Sequence, residues 1–299
     1  MSGVISLGIS QQATPDQTPP TPEGAQVTVT VTVTDHANHP VTDLKSENFT
    51  LYEDGQPRPI SSVTFGDMPA CIGLLVDRST SMRQQMSAIN NAIMDLVRAS
   101  NSGDQFFVVS FNEVAHLDRE FTQDQSLIEQ ALARAVAGGA TALYDTVSTS
   151  ATYLANARGC KRRIMVLISD GGDNQSRKTS RETISYVQRM GNPAIYAIGV
   201  PDESRPSLGP NILEKFTTQT GGEAFFAKSI KDLSKLSLKV AEEIRNTYTF
   251  TYVSAHPQLD ATSKIKLEAH AAGYKHLTTR VNVAFEPGIN TPSKNASGK

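Results

Sequence analysis

Hydrophobic and polar residues follow three different patterns along this chain. From Val27 to Val33 valines alternate with threonines, the period of a half-buried strand. Phe49 to Glu53 is a short strand, Asp54-Gly55 a hairpin turn, and Ile60 to Phe65 the return. From Cys71 to about Asn246 continuous apolar runs take over: Ile72–Val76, Phe106–Phe111, Ile164–Ile168, Ala194–Val200 and Ala224–Phe226. Runs without alternation suit a parallel sheet buried on both faces. Helical stripes lie between them: Met86, Ile89, Ile93 and Leu96; Leu143, Val147, Ala151 and Leu154; Ile184 and Val187; Leu213 and Phe216; Ile230, Leu233, Leu236, Val240 and Ile244. Ser126 and Glu129 read as a capping box that opens a further helix through Leu132 and Val136. From Tyr248 alternation returns, at Ile265 and Leu267 and then at Val281, Val283 and Phe285.

Strand and helix in alternation predict a doubly wound α/β domain with a mostly parallel sheet. The β segments on either side hold about three strands each, marginal alone. They predict one small β-sandwich, split in sequence, with the α/β domain inserted in it. The expected division is a Pro/Thr/Gln-rich disordered leader over 1–25, sandwich over 26–66, α/β domain over 70–246, sandwich over 247–286 and a disordered tail over 287–299.

Composition narrows the function. With 28 basic and 30 acidic residues the net charge is -2, so no basic excess points to nucleic acid. No window is apolar enough for a membrane span. MSGVISLGIS lacks the basic start of a signal peptide, yet the leader after it suits an exported protein. The expectation is export with an incomplete or atypical signal segment, with the cytoplasm as the alternative. Cys71 lies six residues before Asp77, and Cys160 ten before Asp170. Given strict disulfide geometry, that inequality favours two free thiols over a bond.

The candidate chemistry lies at the carboxyl ends of predicted strands, where open α/β sheets bind ligands. One strand runs into Asp77-Arg78-Ser79-Thr80-Ser81. Alone, that fragment reads better as a helix entry. A glycine-rich turn, Gly138 to Asp145, presents Thr141, and Ile168-Ser169-Asp170-Gly171-Gly172-Asp173 presents Asp170. Carboxylates and hydroxyls without His or Cys suit a hard cation, Mg²⁺ first, with Mn²⁺ or Ca²⁺ as alternatives. Asp173 reads as a turn former, and Asp145 as an acid favoured in the first turn of a helix. Arg78 and Tyr144 are candidates for contact with a partner at the rim. An enzyme is not expected. The six histidines lie outside the motif loops, no G-x-S-x-G elbow or P-loop occurs, and no third group orients Asp77 against Ser79.

Residues of about 70 to 246 resemble the von Willebrand factor A domain. The resemblance rests on D-x-S-x-S at Asp77, Ser79 and Ser81, on GGATALYD at Thr141 and on ISDGGDN at Asp170. It implies a metal-ion-dependent adhesion site: the serines and threonine coordinate the cation, the aspartates act largely through water, and a Glu or Asp of another protein completes the shell. VTVTVTD, FTLYEDGQPRPI, TQTGGEAFF and NTYTFTYVS extend the likeness to the VWFA-related proteins described from acidobacteria. The function implied is a metal-dependent protein-binding module. The alternatives are a structural component of a cell-envelope assembly and a regulatory subunit of an ATPase or chelatase machine.

Overall fold

The structure, a computed structural model, describes residues 25–201, 209–256 and 263–284. The leader expected before residue 25, the tail after 286 and Phe285 lie outside the described residues.

In chain order the elements are β1 (Gln26–Thr34), β2 (Phe49–Glu53), β3 (Gln56–Arg58), β4 (Ile60–Phe65), β5 (Cys71–Asp77), α1 (Met86–Ala99), β6 (Gln105–Phe111), β7 (Ala115–Thr122), α2 (Gln125–Arg134) and α3 (Leu143–Ala155). They continue with β8 (Arg163–Ser169), α4 (Ser180–Arg189), β9 (Ala194–Gly199), α5 (Gly209–Thr220), β10 (Ala224–Phe226), α6 (Leu233–Arg245), β11 (Tyr248–Val253), β12 (Ile265–Ala269) and β13 (Thr278–Val283).

The central sheet has the order β10-β9-β8-β5-β6-β7, parallel except for β7. Ile72, Leu74 and Val76 of β5 face a core shared with α1, α2 and α6, while Leu75 faces one shared with α3, α4 and α5. Burial on both faces is why these strands read as unbroken apolar runs. The strand order reverses at β5, with β6 on one side and β8 on the other. That reversal opens a crevice at the carboxyl ends of β5 and β8.

β7 was not expected from the sequence. It is an antiparallel edge strand with largely polar, exposed residues, so no core face imprinted alternation on it. The capping box expected at Ser126 is also corrected. Asp124 caps α2, accepting from the Ser126 amide (2.9 Å) and hydroxyl (2.7 Å), and the helix stops at Arg134. Val136 lies beyond it, 83% exposed. There the chain turns toward β5, and the Gly138 amide bonds the Arg78 carbonyl (2.7 Å).

The segments on either side pair with each other. β1 lies between β11 and β13, β4 completes that sheet against β11, and β12-β2-β3 forms a second sheet. Val29 and Val31 of β1, Leu51 of β2, Phe250 of β11 and Leu267 of β12 share one core. The two sheets thus form a sandwich from both ends of the described chain. It docks at the amino ends of the central strands. Arg280 of β13 pairs with Glu223 (2.6 Å) and with Glu243 of α6. The Asn282 amide nitrogen donates to the carbonyls of Asn192 (2.9 Å) and Thr220 (2.8 Å). Gly221, at φ +82°, passes so close to β13 that a Cβ there would lie 2.3 Å from the Val281 carbonyl oxygen. Among the described residues the sandwich makes no hydrogen bond at the opposite end of the central sheet, where the candidate site lies.

Cys71 and Cys160 are joined in a disulfide with Cα atoms 5.7 Å apart, against the expectation of free thiols. The relevant register is at the amino ends, where Cys71 is level with Arg163 and its amide bonds the Arg162 carbonyl (2.9 Å). The loop before β8 folds back and returns Cys160 to that level, which distances counted from the aspartates conceal. The bond closes a loop over a sequence separation of 89. Cys160→Ser is expected to lower unfolding stability by roughly 2–4 kcal/mol in non-reducing buffer. The same loss should appear when the parent protein is measured in dithiothreitol; a Cys160→Ser protein as stable as the oxidised parent would contradict it.

Candidate metal centre

β5 ends in Asp77, wholly buried, where the crevice opens. Its Oδ1 accepts the Ser79 amide (2.8 Å) and its Oδ2 accepts the Ser169 hydroxyl (2.6 Å). Burial pushes this carboxyl up to about 6, against the bonds from Ser169 and Ser79 and with a contribution from the nearby charge of Asp170. Among the described residues no cation forms an ion pair with this buried carboxylate, so its charge is under-compensated.

The other side chains gather around it. The Ser79 and Ser81 hydroxyl oxygens are 3.1 Å apart. The Ser81 hydroxyl donates to Asp170 Oδ2 (2.6 Å), and Asp170 Oδ1 accepts the Gly172 amide (2.9 Å). Asp170 is partly exposed, so the cluster runs from a buried end at Asp77 to an open end at Ser81.

Thr141 reaches the same strand ends through its backbone. Its amide donates to Asn174 Oδ1 (2.8 Å), and its carbonyl accepts the amides of Asn174 (3.0 Å) and Gln175 (3.1 Å). Gly139, at φ +87°, turns the loop so that its carbonyl accepts the Thr80 amide (3.1 Å). The loop bearing Thr141 is thereby stitched to both others. Four of the five expected residues are linked by direct hydrogen bonds or through Ser79's own amide; the fifth is held beside them by its loop.

This donor set of two carboxylates and three hydroxyls fits a hard divalent cation. Among the described residues no three His, Cys, Asp or Glu cluster as metal ligands, so the hydroxyls are essential to that fit.

Two expected rim residues are placed differently. Arg78 is 2% exposed and turned away from the crevice. Its guanidinium donates to Met86 Sδ (2.8 Å), Asn90 Oδ1 (3.0 Å) and the Leu132 carbonyl (3.1 Å). At the end of a strand buried on both faces, the residue after inward Asp77 projects into the body of the domain. Tyr144 is half-buried, its ring edge-on to Phe216 at 5.9 Å, so it packs on the core under α3 and α5. Asp173 structures its turn, accepting the Tyr144 amide (3.0 Å) and the Ser176 hydroxyl (2.6 Å). Asp145 accepts the amides of Arg177 (2.9 Å) and Lys178 (3.2 Å). Ser169 was missed. It is the last residue of β8, and its hydroxyl both donates to Asp77 and accepts the Gly171 amide (2.9 Å). Its position immediately before Asp170 was the available signal.

Residues 72–172 match the family profile described as von Willebrand factor type A domain. No curated protein gave a significant match. Among solved structures, a von Willebrand factor type A protein from Catenulispora acidiphila aligns with TM-score 0.52 at 13% identity, covering 88% of this chain and 75% of that one. Proximal thread matrix protein 1 from the mussel byssus aligns with TM-score 0.52 at 19% identity, over 64% of this chain and 51% of the mussel chain. A structure of that mussel protein with a zinc-occupied MIDAS motif aligns with TM-score 0.51 at 18% identity, over 64% and 49%. At these identities the structural likeness concerns the fold. The findings carry the domain family and not the narrower acidobacterial-type subgroup.

Proposed function

We propose that this chain, whose α/β unit is a von Willebrand factor type A domain, is a metal-dependent protein-binding module and not an enzyme. The observation that carries the reading is the buried Asp77 carboxylate, which forms no ion pair among the described residues and stands beside the Ser79–Ser81–Asp170 chain of hydrogen bonds. A hard divalent ion supplies the missing charge, and we assign its ligands as Asp77, Ser79, Ser81, Thr141 and Asp170, with Mg²⁺ preferred and Mn²⁺ or Ca²⁺ as substitutes. The mussel relative's zinc-occupied motif supports a divalent ion at this type of site.

Each residue has a definite part. Ser81 presents its hydroxyl oxygen at the mouth, and buried Ser79 presents one beside it. Asp77 fixes the Ser79 amide, and Ser169 fixes Asp77. Asp170 orients Ser81. When bound, the ion supplies an electrophilic centre, its charge matched by the two aspartates, that can accept one more anionic oxygen. The partner group we assign is therefore a Glu or Asp side chain of another protein, in a charge-assisted contact that adds directional affinity. The sandwich, docked at the far end of the sheet, leaves this face open.

We further propose that the protein is exported. The disulfide supports this, because such bonds persist in oxidising compartments. A structural role inside a cell-envelope assembly would use the same site to hold its loops.

The test is capture of partners on the immobilised protein with Mg²⁺, with EDTA, and with Mg²⁺ restored. Specific partners should be lost in EDTA and return with the metal. Changing one acidic residue of such a partner to its amide should weaken binding about tenfold or more, the scale of one hydrogen bond to a charged group. Binding that survives both EDTA and Ser79→Ala would remove the metal face as the recognition surface.

A further inference from the structure

Arg78 raises a question that the metal reading leaves unanswered: why a guanidinium is buried with only neutral acceptors. Among the described residues no carboxylate lies within ion-pair distance of it. One terminal nitrogen is spent on a thioether, a weak acceptor, and Nε has no hydrogen-bond partner. A buried cation in such company is under-compensated.

Above it lies an open groove between α1 and α2, about 410 Å³ in volume. Its lining is mixed: Met86, Met94 and Leu132 form an apolar part, Ser87, Asn90 and Asn91 a polar one, with Arg78 at the floor. That volume lies within the usual range for small-molecule sites. Glu129 also borders the groove but is exposed, so water screens its charge in a way that it does not screen Arg78. Met86 is half-buried, and methionine is the most adaptable of apolar side chains. It stands where an anionic oxygen would serve the guanidinium better.

We propose that this groove is a second ligand site, for a small monocarboxylate with an aliphatic tail. The carboxylate displaces the Met86 thioether and receives a charge-assisted bond from Arg78, while the tail lies along Met94, Leu132 and Ala133. Because Arg78 stands between Asp77 and Ser79, occupancy of the groove bears on the loop at the crevice, yet the site does not depend on any metal.

Octanoate is the probe, titrated calorimetrically into the full chain in EDTA so that no ion at Asp77 can hold a carboxylate. Saturable one-to-one binding is expected, with 1-octanol at least tenfold weaker. Ala133→Trp fills the groove from its exposed wall without touching Arg78, and should weaken octanoate at least tenfold. Arg78→Met should bring octanoate down to the level of octanol. Absence of saturable binding, equal binding of octanol by the parent protein, or octanoate affinity unchanged in Ala133→Trp would each overturn the proposal, and none depends on Arg78→Met folding normally.

Discussion

Asp77→Ala and Asp170→Ala are each expected to lower Mn²⁺ and Mg²⁺ affinity by more than ~100-fold in calorimetric titration. Residues that only orient metal ligands typically cost 10–100-fold when changed, and these two do that as well as supplying charge. Asp77 holds the Ser79 amide at 2.8 Å, and Asp170 holds the Ser81 hydroxyl at 2.6 Å. Losing either removes a negative charge and frees a serine. Asp173→Asn is the control. Asp173 engages Tyr144 and Ser176 rather than the cluster, and an amide oxygen can still accept from both. It should keep metal affinity within a few-fold. Equal affinity in Asp77→Ala and the parent protein would sink the assignment of the centre. A metal lost equally in Asp173→Asn would mean that loop architecture, not ligand charge, dominates the affinity.

Removing everything from Tyr248 onward should unfold the amino-terminal strands while leaving most of the α/β unit protected from hydrogen exchange. The strand β1 hydrogen-bonds on one side to β11 and on the other to β13, and β2 hydrogen-bonds to β12, so truncation strips β1 of both neighbours and β2 of its longer one. Buried Glu53 of β2 would also lose the Tyr252 hydroxyl (3.1 Å) and the Ala255 amide (2.8 Å). Short two-stranded remnants do not hold alone in water. The amides of Val27 to Val33 should therefore exchange freely. The β5, β6 and β8 strands should stay protected, because their ladders and their two cores come largely from residues 70–246. Loss of Arg280 would leave Glu243 buried without its cation, so added exchange is expected at the end of α6. Protection of Val27 to Val33 that survives truncation would mean that the first strands have a core of their own.

The sequence by itself determined the elements whose residues carry a physical period. β5, β6, β8 and β9 are buried on both faces, so their central residues are apolar, and the run announced the strand. Val27 to Val33 alternates because β1 has one face in the sandwich core, and Tyr248, Phe250 and Tyr252 of β11 repeat that period against it. The motif loops were legible because a hard cation demands small oxygen donors at strand ends, a demand on residue type as well as on position. Tertiary structure decided what periodicity does not encode. β7 is an exposed edge, and with no core to face its residues are free to be polar. Cys71 meets Cys160 because a loop folds back to the amino ends of the strands, and loop paths leave no period in sequence. Arg78 sits within the D-x-S-x-S motif yet points into the body of the domain. A side chain's direction at a strand end depends on the twist and packing of its neighbours, and here Met86 and Asn90 of the following helix and the carbonyl of distant Leu132 receive the guanidinium.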